Sequence, residues 1–245
     1  MKLFQVSTLQ ALALGYTRSV VTVKELLEQG DIGLGTFEDV GGELIMVDGV
    51  CYRALQDGTV QEADQDMGIP FATVVREEQN PCKEITSITG IEELKTALTL
   101  KIEEDFGLNG IHIVRIDGTF SKVCARSESP YRSHHIDLKD ILSETQNDFE
   151  FEDIAGTLVC IYFPDYMDGL NMPGWHIHFV SQDRTKGGHV FDLELIRGQM
   201  RFTRANRIEI RIPNDPAFDT YSLKEASNDD IKEVEQKENE SIPEK

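Results

Sequence analysis

Pro173-Gly174-Trp175-His176-Ile177-His178-Phe179-Val180 is followed, after a polar stretch, by Gly187-Gly188-His189-Val190-Phe191-Asp192. Phe179-Val180, and Val159-Cys160-Ile161-Tyr162-Phe163 upstream, are aromatic and β-branched and predict strands. Side chains alternate faces along a strand, so His176 and His178 point the same way. Residues 181–188 are polar and rich in glycine, which predicts a turn. The returning strand then carries His189 back beside the pair. Three imidazoles on one face of a hairpin form a three-legged metal seat with one position open. That donor set belongs to a catalytic zinc centre rather than a closed structural one. The other histidines lack such company. His112 lies in its own apolar run, Ile111-His112-Ile113-Val114, and His134-His135 fall in a polar loop, so all three are read as structural.

Working outward, the same strand-and-turn grammar recurs. Glu43-Leu44-Ile45-Met46-Val47, the pair Asp48-Gly49 and Val50-Cys51-Tyr52-Arg53-Ala54 predict a hairpin. Glu43 begins that hairpin next to Gly41-Gly42, which let backbone or ligand come close. Residues 111–126 predict a second strand, a turn at Asp117-Gly118 and a strand that ends at Arg126, with 127–135 as loop. Further strands are expected at 58–62, 71–75, 156–163, 191–202 and 208–213. Helices are few: 9–14 behind Ser7 or Thr8 and stopped by Gly15, 23–29 capped by Thr22 and stopped by Gly30, and 91–98 with apolar residues at helical spacing. A last, acidic helix is expected at 231–235. Gly-Thr-Phe occurs at 35–37 and again at 118–120, a hint of weak internal duplication. The fold class is therefore mixed α/β (α+β), strand-dominated and hairpin-rich, without βαβ alternation. Residues 1–235 are expected to form one domain, with two sheet subdomains at about 1–110 and 111–235 as a finer division. Residues 236–245 read as an acidic disordered tail.

A net charge of −20 repels phosphate backbones and anionic membranes, so neither nucleic acid nor a membrane surface is an expected partner. The sequence lacks a secretory signal and any apolar window long enough to span a bilayer. Its four cysteines, at 51, 82, 124 and 160, are widely spaced and are expected to be reduced thiols in the cytoplasm. No phosphate-binding glycine loop or nucleophile elbow occurs. The metal seat is the one constellation with specific chemistry. Neutral imidazoles leave a divalent cation its full charge, so the open position can polarise an oxygen. A carboxylate such as Glu43 can move protons nearby, and an arginine can hold an anionic group. The residues alone reach metal-assisted chemistry on a small, oxygen-rich substrate.

At these same residues the chain resembles the bacterial α-acetolactate decarboxylases, from Ser7 to about Glu235. The resemblance is carried by Val23-Lys24-Glu25-Leu26-Leu27, Gly33-Leu34-Gly35-Thr36-Phe37, Gly42-Glu43-Leu44-Ile45 with Asp48-Gly49, Asp117-Gly118-Thr119-Phe120, and the histidine hairpin. It implies a zinc enzyme, one ion per chain on His176, His178 and His189, that converts 2-acetolactate to acetoin and carbon dioxide. It also implies Glu43, Arg126 and a C-terminal carboxylate, Glu235 or alternatively Glu233, as catalytic residues. Arg126 and Thr36 would contact substrate. The family carries a longer segment ending Gln-Glu-Lys-Pro-Tyr after the arginine, where this chain has the shorter Ser127-Glu128-Ser129-Pro130-Tyr131-Arg132. That difference bears on the pocket rim. Two rivals remain at this point: a cupin-like metal oxygenase or isomerase, against which Gln182 and Asp183 stand where a glutamate ligand would be expected, and a non-catalytic module with a closed zinc site. An exposed strand edge could pair two copies as a homodimer.

Overall fold

The computed structural model describes residues 1–133 and 135–223. In chain order the elements are β1 (Lys2–Val6), α1 (Leu9–Ala13), β2 (Val21–Thr22), α2 (Val23–Leu27), β3 (Ile32–Thr36), β4 (Glu43–Val47), β5 (Val50–Ala54), β6 (Val60–Glu62), β7 (Gly68–Ile69), β8 (Phe71–Val75) and β9 (Lys83–Ile88). There follow α3 (Ile91–Asp105), β10 (Ile111–Glu128), α4 (Leu138–Thr145), β11 (Gln146–Phe163), β12 (Gly174–Ser181), β13 (Gly187–Ala205) and β14 (Arg207–Arg211). Among the described residues, strands thus outnumber helices, as the sequence pattern predicts. No helix there is long and apolar enough to cross a membrane.

Two sheets carry the fold. The first runs β14-β1-β8-β3-β4-β5-β6 and the second β10-β11-β12-β13-β9. In the second, β10 also pairs with β13, so β10, β11, β12 and β13 close a hydrogen-bonded circuit. Each sheet takes a piece from the other half of the chain. β14 lies parallel to β1 in the first sheet, and β9 adds to the edge of the second.

Alternation assigns the faces. In β4, Ile45 and Val47 enter the core between the sheets, while Leu44 and Met46 enter the core on the opposite face. Both faces being apolar, the strand reads as a continuous hydrophobic run. The inter-sheet core also takes Ile32 and Leu34 of β3, Ile111 and Ile113 of β10, Val159 and Ile161 of β11, and Val180 of β12. A further core fills the space between the second sheet and the buried stripe of α3, Leu94, Leu98 and Ile102. The helix 23–27 starts as expected, with a capping box between Thr22 and Glu25.

Two expectations are corrected. Asp117-Gly118 is not a turn, because β10 passes straight through it with partners on both sides: Asp117 pairs with Thr157 and Gln199, and Gly118 with Gly156 and Gly198. The glycines there serve close packing instead. A Cβ on Gly118 would lie 2.7 Å from the Arg197 carbonyl oxygen, and one on Gly156 would lie 2.4 Å from the Phe179 ring. Nor are Ser127 and Glu128 loop residues, since they complete β10 opposite Asn147 and Gln146. The Gly-Thr-Phe repeat falls at the end of β3 in one case and inside β10 in the other. Five elements, β1, the two-residue strands β2 and β7, β9 and α4, lacked a sequence signal strong enough to name. β1 shows why: apart from Lys2 it is buried on both faces, and its polar Gln5 is satisfied inside by the carbonyls of Ser7 and Leu170. The helix expected at 231–235 and the tail at 236–245 lie outside the described residues.

Candidate metal centre

Three adjacent strands set the centre. His178 of β12 stands directly across from His189 of β13, and His189 stands directly across from Arg126 of β10. His176 stands two residues earlier in β12, on the face it shares with His178 and Val180, the face turned toward the first sheet. Arg126 reaches that face only because β10 is irregular. Ile111 and Ile113 point between the sheets and Val114, Ile116 and Phe120 point toward α3, yet Val123 and Ala125 also point toward α3. A register shift between Phe120 and Lys122 swaps the parity, as a bulge does. Arg126 and Glu128 therefore face inward. This shift has no signature in the sequence.

From the opposite sheet come Thr36 and Glu43, paired to each other at the ends of β3 and β4 and both on the inner face by parity with Leu34 and Ile45. Ser127 anchors this edge. Its hydroxyl accepts from the Glu43 backbone N–H at 3.4 Å and donates to the Ala54 carbonyl at 2.9 Å.

The histidine nitrogens converge. Nε2 of His176 lies 3.0 Å from Nε2 of His178 and 3.2 Å from Nδ1 of His189. Each of the three is buried, and the nitrogens able to act as ligands all lie within 4.8 Å of one another. His178 Nδ1 donates to the Leu44 carbonyl at 2.9 Å, which leaves its Nε2 lone pair facing the centre. Burial pushes His176 down to about 3, with the Arg126 charge acting the same way. Burial also holds His178 and His189 well below the usual imidazole value, again with help from Arg126. Three neutral, desolvated imidazoles thus bring one nitrogen each to one point. A first-row divalent cation fits this set, since nitrogens about 2.0–2.1 Å from such an ion in tetrahedral array sit about 3.3 Å apart.

Glu43 stands beside this point, its Oε2 3.4 Å from His178 Nε2 and its Oε1 4.0 Å from His189 Nδ1. Arg126 Nη2 lies 3.4 Å from His189 Nε2. A narrow cleft leads in, lined by Thr36, Glu43, Arg126, His176 and His189. So every site residue read from the sequence that the structure describes lies at one place. Glu235 and Glu233 are outside the described residues, as is His134. His112 serves the fold, contacting the Gly107 carbonyl at 3.1 Å, and His135 stacks on Tyr221.

The sequence reading omitted Glu128 and Gln146 and the apolar wall, where Leu12, Phe71, Leu138 and Leu142 line the cleft. Glu128 shares Arg126's strand parity, which would have exposed it had the strand been extended by two residues. The four cysteines form no disulfide in the structure. Burial holds the Cys51 and Cys124 thiols up at about 12, which disfavours the reactive thiolate at both.

The sequence model described as alpha-acetolactate decarboxylase matches residues 3–225. An alpha-acetolactate decarboxylase of Methanosarcina mazei is 35% identical over 233 residues, covering 95% of this chain and 80% of that protein. One from Brevibacillus brevis is 32% identical over 234 residues, with the same coverage. The crystal structure of alpha-acetolactate decarboxylase from Bacillus subtilis strain 168 superposes with a TM-score of 0.90 at 28% identity, covering 96% of this chain and all of that one.

Proposed function

Since the chain belongs to the alpha-acetolactate decarboxylase family and so is an enzyme of the carboxy-lyase class, we propose that it converts 2-acetolactate to acetoin and carbon dioxide with one zinc ion on His176, His178 and His189. The observation that supports this most is the meeting of three neutral imidazole nitrogens with Glu43 and Arg126 at the end of one cleft. When bound there, zinc would supply a Lewis acid for the oxygens next to the breaking bond.

The chain's own residues do the rest. Acetolactate is a β-keto acid, so the bond to its carboxylate breaks with the electron pair moving toward the neighbouring ketone. One proton must then be added at carbon for each carbon dioxide released. Arg126, across from His189, would hold and orient the departing carboxylate, an attraction that a buried, low-dielectric site strengthens. Glu43, on the opposite wall, would move the proton, and its delivery from one side would set the handedness of the product. Thr36 borders the same space; its hydroxyl donates to the Gly42 carbonyl, which fixes the backbone leading to Glu43. The apolar wall excludes water from the reacting atoms. Glu235, with Glu233 as the alternative, is the second carboxylate of this reading and rests on the family resemblance.

The test is to strip the purified protein with a chelator, restore zinc, and follow acetoin and carbon dioxide from racemic 2-acetolactate. Turnover that tracks about one zinc per chain supports the reading. Bound zinc without acetoin overturns the activity while leaving the centre. Glu43→Gln separates the two roles open to that residue. As a proton carrier its loss leaves zinc bound and lowers kcat by about 100-fold to 10,000-fold. As a fourth protein ligand of a closed site its loss releases zinc as well.

A further inference from the structure

The turn between β3 and β4 is strained, and it joins two residues of the cleft. Asp39 and Val40 have φ of 59° and 51°, and Gly42 has 106°. A β-branched residue such as Val40 rarely adopts that region, and such conformations persist only where the surroundings enforce them. Arg53, the β5 residue paired with Leu44, supplies the enforcement. Its Nε–H donates to the Gly41 carbonyl, and its guanidinium lies 5.7 Å over the Phe37 ring. The glycines are pressed against it: a Cβ at Gly41 would come within 3.0 Å of its Nη2, and one at Gly42 within 3.3 Å of its Cγ and Nε. Burial lowers its pKa and the Glu128 carboxylate, which lines the same cleft, opposes that shift.

We propose that Arg53 is a positioning residue for the reaction, clamping the 37–42 turn so that Glu43 faces the histidine nitrogens. Arg53 does not line the cleft, so it acts through Glu43. The inference rests on the assignment of proton transfer to Glu43. Its chemistry demands a guanidinium, because the clamp uses a fixed N–H direction and a flat face on Phe37 together, and an ammonium offers neither.

The experiment compares Arg53→Met, Arg53→Lys, Glu43→Gln and the double variant R53M/E43Q in the zinc-loaded full chain. Expected is a kcat about tenfold to 100-fold lower for Arg53→Met, with KM and zinc content unchanged and a smaller loss for Arg53→Lys. In the Glu43→Gln background the Arg53→Met change should cost nothing further, since the group being aimed is gone. An equal loss in both backgrounds, or normal kcat in Arg53→Met, overturns the clamp. If Arg53→Met fails to hold zinc, Arg53→Lys in the two backgrounds gives the same reading. Normal turnover of Glu43→Gln alone overturns the proton-transfer assignment and the clamp with it. An impaired Glu43→Gln beside a normal Arg53→Met removes only the clamp.

Discussion

Strand β4 meets the second sheet at both of its ends, and the two junctions are built from opposite materials. At the Glu43 end, neutral imidazoles gather beside one carboxylate, and His178 reaches across to the Leu44 carbonyl. At the Asp48 end, charge meets charge. Arg115 of β10 bonds Asp48 through Nη1 at 2.5 Å and Asp117 through Nε at 2.8 Å, and it lies 3.4 Å from Glu77. Arg201 holds the other oxygen of Glu77 at 3.2 Å. Burial would lower the Arg115 pKa, yet the bonds to Asp48 and Asp117 outweigh it and raise the pKa instead. Three buried bases facing one another add no cohesion of their own, whereas the arginine network offsets the desolvation of its members. One end of a five-residue strand is organised for chemistry and the other for holding the sheets together.

The largest effect should come from cutting the first junction. His176→Ala removes one leg of the seat. We expect zinc to be lost and acetoin formation to fall on the order of 1000-fold or more. Cooperative melting should persist, because the inter-sheet core is untouched. A variant that keeps both zinc and turnover would break the comparison at once. Arg126→Met comes next, with kcat/KM lower by about tenfold to 100-fold, the worth of hydrogen bonds to a charged group, and with zinc retained. Loss of zinc in that variant would show that Arg126 serves the ligands rather than the substrate.

Arg115→Met should do the reverse. It leaves Asp48 and Asp117 without their shared partner and half-buried Glu77 with Arg201 alone. The expected cost is about 2–3 kcal/mol, or roughly 5–10 °C in Tm, with kcat per folded molecule unchanged. The sign with pH is determined. Burial, the largest influence on Glu77, already raises its pKa against both arginines. A carboxyl whose folded value is raised contributes stability below its unfolded value and loses it as pH rises. Without Arg115 that rise grows, so the deficit should be largest above the carboxylate range and shrink as pH falls through it. Activity that falls in step with stability would merge the two junctions into one.

How far all this could be read from residues alone differs between the same two ends. His176, His178 and His189 announced themselves because alternation and one turn suffice to bring them together, and both signals are local. Glu43 was read from its place beside Gly41-Gly42, whereas Thr36 came only from the family resemblance, and the parity of β3 and β4 brings both inward once the sheets face each other. Arg126 was different: its inward direction depends on one register shift inside an 18-residue strand, and only the family resemblance pointed to it. Arg115 was invisible. It reads as an ordinary polar residue in an alternating strand, and its partners Asp48 and Glu77 lie 67 and 38 residues away in sequence. The apolar wall of the cleft failed for a related reason, as it is assembled from α1, β8 and α4, three short elements whose apolar residues pattern like any core.

The smallest effect isolates charge from geometry at the Asp48 end. Asp48 occupies the left-handed region with φ of 55°, in the Asp48-Gly49 turn that the sequence predicts. Asparagine tolerates that region as well as aspartate does, so Asp48→Asn keeps the turn and removes only the charge. The hydrogen bond from Arg115 leads the influences that hold the Asp48 pKa below its usual 3.8. A carboxylate with a depressed folded value contributes stability above its unfolded value and loses it as pH falls through the folded one. Asp48→Asn should therefore be less stable than the parent at pH 7 and converge with it below about pH 3.8. The side chain is 56% exposed, so solvent screening limits the difference to about 0.5–1 kcal/mol, and added salt should shrink it further. Paired melting curves at pH 7 and pH 3 with and without salt decide it. A difference undiminished at pH 3 would assign the effect to the turn, and the Asp48 end would then hold by shape rather than by charge.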